Sequence, residues 1–393
     1  MRRVFATLLT LAALGAHGSV PAAAQSLLAS SGLGLPLEGL DARARGMASL
    51  GTGLLLPSIF PGEPTGSLDL VLAPTVQFTL QPTWGTYRTA EASGDLQGNR
   101  VPALGVSFPV GLRTALTLSV AGVLDQRWRV TREGVESVGG TLVRTTDQFN
   151  SDGGVSAVRL GYARRLSPRF GIATSFGLYL GSVRRSFQRT FDTTGVADPI
   201  APFQSGGQWR YSGPTLSAGA VWDPLDELRV AGSLTWSGTL DADPTDATEG
   251  PGSSFDMPFE VRLGASALLA TGLSLQASFH TADWSGTGDD FEQPIDTGWT
   301  YAFGVGVEYQ LGNVWGGAFP VRFGWRRRDL PFGFEGGDAS ERLLAAGFTL
   351  TMVQAASFPV AAFDLAFETG SRSAPGVSES VRRLTLSLRV AGR

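Results

Sequence analysis

The sequence predicts an all-β protein, a transmembrane antiparallel β-barrel of about fourteen strands with an N-terminal plug in its lumen. Two observations carry the barrel. Apolar and polar residues alternate in stretches long enough to cross a bilayer, and the connections between stretches are alternately short and long. The last stretch, Leu384-Thr385-Leu386-Ser387-Leu388-Arg389-Val390, alternates most cleanly. Successive side chains of a strand point to opposite faces, so this pattern describes one greasy surface and one wet one. A third observation is an exclusion. Beyond the first residues no apolar run reaches the ~20 residues a membrane helix requires.

Arg2 and Arg3 precede an apolar run from Val4 to about Leu14, and Ala22-Ala23-Ala24 offers the small residues of a cleavage site before Gln25. Residues 1–24 therefore read as a signal peptide, and the mature chain as an exported one. The 52 glycines and nine tryptophans suit strands and turns. There is no cysteine, which excludes disulfides, thiolate metal sites and a cysteine nucleophile. The formal charge of −4 includes Arg2 and Arg3, so the mature chain carries −6, and no nucleic-acid footprint is present. All 31 basic residues are Arg.

Strands are expected at 70–85, 101–111, 115–130, 153–166, 170–188, 208–222, 227–238, 257–269, 272–284, 299–311, 319–328, 341–353, 358–369 and 380–391. The outward set includes Leu104, Val106, Phe108 and Val110, then Phe170, Ile172, Phe176 and Leu178, then Phe259, Leu263, Leu275 and Phe279. The inward set is small or polar, as in Ser274, Gln276, Ser278 and His280. Short turns fall near 111–114, 166–169, 223–226, 270–272, 312–318 and 354–357. Long loops fall near 86–100, 131–152, 189–207, 239–256, 285–298, 329–340 and 370–379. Strict alternation demands an even strand number and puts both termini on the periplasmic side. The fourteenth strand then pairs with the first near Leu70 to Trp84, leaving no edge in lipid.

Trp84, Trp128, Trp209, Trp236, Trp284, Trp299 and Trp325 fall at loop-proximal strand ends, and Trp222 and Trp315 lie by short turns. They are expected to form the interfacial girdles. Residues 25–69 have neither a long alternation nor a long helix, yet are too apolar for a free tail. A fourteen-strand barrel is too wide for its wall side chains to fill, so this segment is expected to fold into the lumen.

Gly34-Leu-Pro-Leu-Glu-Gly-Leu-Asp-Ala-Arg-Ala-Arg-Gly-Met-Ala-Ser-Leu-Gly-Thr-Gly53, placed between a signal peptide and a fourteen-strand pattern, resembles the FadL-type outer-membrane transporters of hydrophobic compounds. The resemblance implies a lumenal hatch at about 26–69 with Arg43, Arg45, Gly46 and Met47 in the matching stretch. It also implies a hydrophobic small-molecule ligand, such as a fatty acid or aromatic hydrocarbon, entering from an outer groove and leaving laterally beside a distorted strand. Two features depart from the family. Pro57-Ser-Ile-Phe-Pro-Gly-Glu-Pro64 stands where an Asn-Pro-Ala element is usual, and Arg393 replaces the terminal aromatic commonly read by the barrel insertion machinery.

Leu33, Leu35, Leu37 and Leu40, with Arg43 and Arg45, are candidate ligand contacts, since such pockets are apolar with a few orienting polar groups. Arg159, Arg229, Glu260, Arg262, Glu308, Arg322, Asp364, Glu368, Arg383 and Arg389 face inward as a lumenal charge ladder; an Arg among them could instead read a ligand carboxylate. Lost alternation between Asp125 and Arg129 marks a bulge, which the resemblance implies as the lateral exit. An enzyme is not expected, because the mature chain offers a single base, His280, near Asp283. No metal or cofactor is expected either: Asp241, Asp243, Asp246, Asp289 and Asp290 lack the spacing of a calcium loop. Expected partners are outer-membrane lipid, the hydrophobic ligand and the insertion machinery. The alternative functions are a porin for polar solutes and a scaffold that docks a surface or periplasmic protein partner.

Overall fold

A computed structural model describes residues 26–55, 58–90, 92–138, 140–192, 200–246, 248, 251–314, 317–334, 337–355 and 358–392. The expected signal peptide and Trp315 lie outside the described residues, as do parts of the expected turns at 312–318 and 354–357. Fourteen strands close into one antiparallel ring: β1 (Thr75–Arg88), β2 (Ser93–Pro109), β3 (Thr114–Asp125), β4 (Thr141–Arg165), β5 (Phe170–Phe191), β6 (Phe203–Leu225), β7 (Leu228–Ser237), β8 (Phe259–Ala270), β9 (Leu273–Asp283), β10 (Trp299–Val314), β11 (Gly317–Phe334), β12 (Gly337–Ala355), β13 (Phe358–Ala374) and β14 (Val377–Ala391). β14 closes on β1, with Val390 opposite Val76, Leu388 opposite Phe78 and Leu386 opposite Leu80. This is the expected closing pair.

Alternation sets the two faces. Leu104, Phe108, Phe170, Ile172, Phe176, Leu178, Phe259, Leu263 and Leu275 are exposed on the outer wall. Gln276 and Ser278 are buried on the inner one. Apolar area facing outward is a liability in water and a match for lipid hydrocarbon.

Of the seven expected long loops, four remain long connections between wall strands, at 126–140, 192–202, 238–258 and 284–298, whereas the other three shrink to 89–92, 335–336 and 375–376, no longer than the short turns, because much of the expected loop sequence is strand. β13 and β14 meet at Pro375-Gly376, and Trp128–Val138 forms a hairpin with the far half of β4. Thr239–Pro244 pairs with β6 and with Ser253–Asp256, and the 285–298 connection begins with a short helix, Ser285–Asp289. The expected boundaries stop where outward apolar residues stop. Backbone pairing continues past that level because it needs no apolar side chain.

The tryptophans divide. Trp84, Trp222, Trp236, Trp299 and Trp325 are exposed on the outer wall. Trp284 is buried, against the girdle expectation, and its ring packs edge-on to Phe332 at 5.4 Å. It follows the last residue of β9, where strand parity no longer fixes direction. Trp128 and Trp209 are only partly exposed and pack against buried clusters.

Residues 26–70 pack on inward groups from opposite sides of the ring. Asp41 caps the helix Ala42–Gly46 by accepting from the Ala44 amide at 2.8 Å, and this helix lies against β11 to β14. A 3-10 turn, Pro64–Asp69, capped by Glu63, lies against β3 to β7. Where the backbone of Met47 passes the wall, the wall is glycine: a Cβ on Gly306 or Gly324 would collide with the Met47 carbonyl. Ser26 reaches Glu379, near the β13–β14 turn, whereas Thr75 and Ala391 lie together at the other end. The two outer ends of β1 and β14 thus share one end of the ring, and Ser26 lies towards the other.

Gly324→Val is expected to lower unfolding stability in detergent by about 1–3 kcal/mol and to expose 26–70 to protease, because the overpacked site cannot relax into lipid. Denaturant midpoints and limited proteolysis of folded protein check this.

Candidate functional site

The inward charges are gathered around carboxylates. Glu341 receives Arg328 at 2.8 Å, Arg372 at 2.7 Å and Arg383, with Arg326 at 4.0 Å. Arg326 also binds Glu368 at 2.9 Å and Glu38 at 2.5 Å, and Arg45 binds Glu368 at 3.1 Å. Glu379 accepts from Arg372 at 3.1 Å, from the Ser26 hydroxyl at 2.9 Å and from the Leu27 amide at 2.6 Å. Arg322 joins Glu308 at 2.5 Å to Asp364 at 3.6 Å; Arg43 approaches Glu308 at 3.4 Å and Arg389 approaches Asp364 at 3.9 Å. The N-terminal segment is thereby tied to β10 through β14.

A second group ties its far end. Asp69 binds Arg229 at 2.5 Å and also Arg165, and both arginines bind Asp223, at 2.8 and 2.7 Å. Glu63 accepts from Thr52 at 2.8 Å and from Ser233 of β7 at 2.5 Å. Glu260 pairs with Arg262 at 2.7 Å and with His280 at 3.0 Å. His280 therefore bonds Glu260 across the ladder rather than the expected Asp283. Every ladder residue expected from sequence except Arg159 has an ionic partner among the described residues.

Arg159 is different. It is buried on β4, makes no ion pair among the described residues, and faces a small cavity of about 50 Å³. Leu37, Leu40, Leu50 and Phe60 give that cavity an apolar side, and Glu38, Glu260 and Arg262 a polar one; its outer wall is Ala121, Gly122 and Val123 of β3. Towards the long connections lies an apolar cluster of Leu33, Leu124, Tyr179, Tyr211, Phe255, Trp284 and Phe332. Of the four candidate leucines, Leu37 and Leu40 line the cavity, Leu33 joins this cluster, and Leu35 packs with Leu27, Leu28 and Leu330.

The wall is interrupted beside the cavity. Pairing of β2 with β3 ends at Ala103 opposite Ala121; beyond it β2 pairs only with β1, and the bulged β3 follows β4. The bulge lies at Val123, upstream of the expected 125–129, and β3 ends at Asp125. Arg127 spans the far side of the gap, holding Asp125 through two 3.0 Å bonds and donating to the Asn99 carbonyl at 3.1 Å. The free edge of β3 is taken by the N-terminal segment. Leu35 and Pro36 pair with Asp125 and Leu124, and the Leu37 amide donates to the Val123 carbonyl at 2.7 Å.

Sequence reasoning missed Glu341, Arg326, Arg328, Arg372 and Glu379. Parity from Arg322 would have found Arg326 and Arg328, which lie four and six residues on. Glu379 and Arg372 sat in a stretch read as loop. Glu38 and Asp69 gave no sequence signal for partners more than ninety residues away.

Burial works against the ionised Glu38 carboxyl, but Arg326, Arg328 and Arg45 prevail and hold its pKa down at about 2. A depressed carboxyl stabilises the folded state fully above its unfolded value of 4.5, and loses that contribution as pH falls through about 2. Glu38→Gln should therefore lower stability at neutral pH and differ little from the parent near pH 2, as denaturation at several pH values reads. Glu341→Gln should cost about 3–5 kcal/mol, since it leaves buried guanidinium groups uncompensated. Urea unfolding in lipid measures it.

No protein-family model and no curated protein matches the chain. Solved structures do. A FadL homologue from Pseudomonas aeruginosa superposes with a TM-score of 0.60 at 14% identity, over 92% of this chain and 99% of that one. The Pseudomonas putida toluene transporter TodX gives 0.60 at 13% identity, over 91% and 98%. The monoaromatic hydrocarbon channel CymD gives 0.58 at 14% identity, over 93% and 99%. The chain has the FadL-like barrel fold of these structures.

Proposed function

We propose that the protein is an outer-membrane channel for passive uptake of hydrophobic small molecules, fatty acids or aromatic hydrocarbons. In this reading residues 25–69 are the plug, the long connections face outward, and Thr75 and Ala391 face the periplasm. The interrupted β2–β3 pairing beside a part-apolar cavity carries the proposal. A solute that passes sideways through this gap moves from cavity to hydrocarbon without crossing water, which its apolar surface favours. The solved relatives of like fold include a toluene transporter and a monoaromatic hydrocarbon channel, which supports the solute class.

Opening the gap asks little of the fold. Leu35 to Leu37 must leave the β3 edge, breaking a few backbone bonds of about 0.5–1.5 kcal/mol net each. Leu37 and Leu40 would meet the apolar part of the solute, and Arg159 any carboxylate.

Residues 102 and 122 follow the last β2–β3 pair, and the chain has no cysteine of its own. In proteoliposomes of Pro102→Cys/Gly122→Cys, a short bifunctional thiol cross-linker is expected to stop toluene and fatty-acid uptake, and the untreated variant to retain it. Undiminished uptake after cross-linking would sink the lateral exit. Deletion of 26–70 is expected to turn a barely conducting planar bilayer into one with large steady conductance; equal large conductance before and after would favour an open porin.

A further inference from the structure

The outer wall of β11 to β14 carries charge where most of the girdle carries rings. Arg327 and Arg342 stand directly opposite each other on β11 and β12, and both are exposed. Like charges at such positions repel. One register step towards the apolar band lie Leu344 and Trp325, and at that same level Arg382 of β14 sits beside Trp84 and Thr369. Exposed Ser371 stands in register with both Arg342 and Ser380. A surface groove of about 390 Å³, lined by Thr86, Arg88, Asp95, Ser378 and Ser380, continues this face.

The local acids do not neutralise it. Glu341, Glu368 and Glu379 on these strands are buried on the inner face, and the exposed Asp338 of β12 lies four residues from Arg342 and makes no ion pair with it. Asp329 is 4.0 Å from Arg327, Asp95 is across the groove, and neither Arg342 nor Arg382 has an ion pair among the described residues. Arg184 and Arg210 on β5 and β6 differ: they stand in register with Asp152 and Asp243.

We propose that this face binds the phosphate-bearing headgroup of a membrane glycolipid in the leaflet around the long-connection end. Guanidinium groups pair with phosphate oxygens in two-pronged fashion, which would relieve the Arg327–Arg342 repulsion, and the hydroxyls suit a sugar. The site begins where the outward leucines and tryptophans end, so its ligand arrives with acyl chains on the apolar band below. That placement selects a lipid over a free anion. The binding is independent of which solute, if any, crosses the lumen.

The full chain is reconstituted in phosphatidylcholine nanodiscs containing a minor fraction of bis-phosphorylated lipid A, and retained lipid is read by native mass spectrometry. Loss of each arginine is expected to weaken retention about fivefold, and Arg327→Gln/Arg342→Gln/Arg382→Gln about a hundredfold. Arg184→Gln/Arg210→Gln should retain lipid A as the parent does. Folding is checked by heat-modifiable gel mobility, and Arg342→Gln alone serves if the triple variant fails to fold. Parent-like retention in the triple variant, or an equal loss in the Arg184/Arg210 variant, overturns the proposal. So does inorganic phosphate binding in detergent as tightly as lipid A, which would make this a free-anion site.

Discussion

Hydrocarbon offers a peptide group no hydrogen bond, so a wall that crosses a bilayer must close on itself or have its edges covered by protein. Among the described residues the strand pairs of this ring run along the wall, with one short break at Pro82 between β14 and β1, whereas the pair β2 and β3 stops at Ala103 and Ala121. The exception is covered by the chain itself. Leu35, Pro36 and Leu37 pair with the edge of β3 that β2 leaves, so the N-terminal segment completes the backbone bonding of the wall as well as bonding to its inward side chains.

The lumenal charges follow from that arrangement. The buried leucines of the segment do not by themselves fix its place against a polar wall, because hydrophobic burial has no direction and the segment has peptide groups of its own to satisfy. Arg43, Arg45, Glu38, Glu63 and Asp69 supply its attachments, and the wall answers with Glu308, Glu368, Arg326, Ser233, Arg165 and Arg229. Buried ion pairs bring little net stability over apolar packing, but they punish misplacement strongly. Here they fix where the segment lies. Arg159, with no ionic partner among the described residues, faces the cavity beside the gap.

The wall was legible in the sequence because period-two alternation is imposed by lipid on one side and polar groups on the other. Leu384 to Val390 gave both the strand and its place as the closing one. Beyond the apolar band that signal stops while pairing continues, which is why 131–152 and 370–379 read as loops and proved to be hairpins. Trp284 was misread for a related reason, since it lies one residue past its strand. The inward arginines were legible by parity. Their partners on the N-terminal segment were not, because no local pattern joins Asp69 to Arg229 or Glu38 to Arg326. The bulge was visible only as broken alternation and lay two residues upstream of its expected start.

The central claim is that residues 26–70 belong to the wall's bonding and do not hang loosely within it. Hydrogen–deuterium exchange of the reconstituted full chain tests it residue by residue. The amides of Leu27, Leu37, Ala42 and Leu50 donate to Glu379, Val123, Ser387 and Ser278 respectively, and each should be protected nearly as long as the strand amides of β12 and β13. Exchange of these four at the rate of a free peptide, with the strands still protected, would contradict the account.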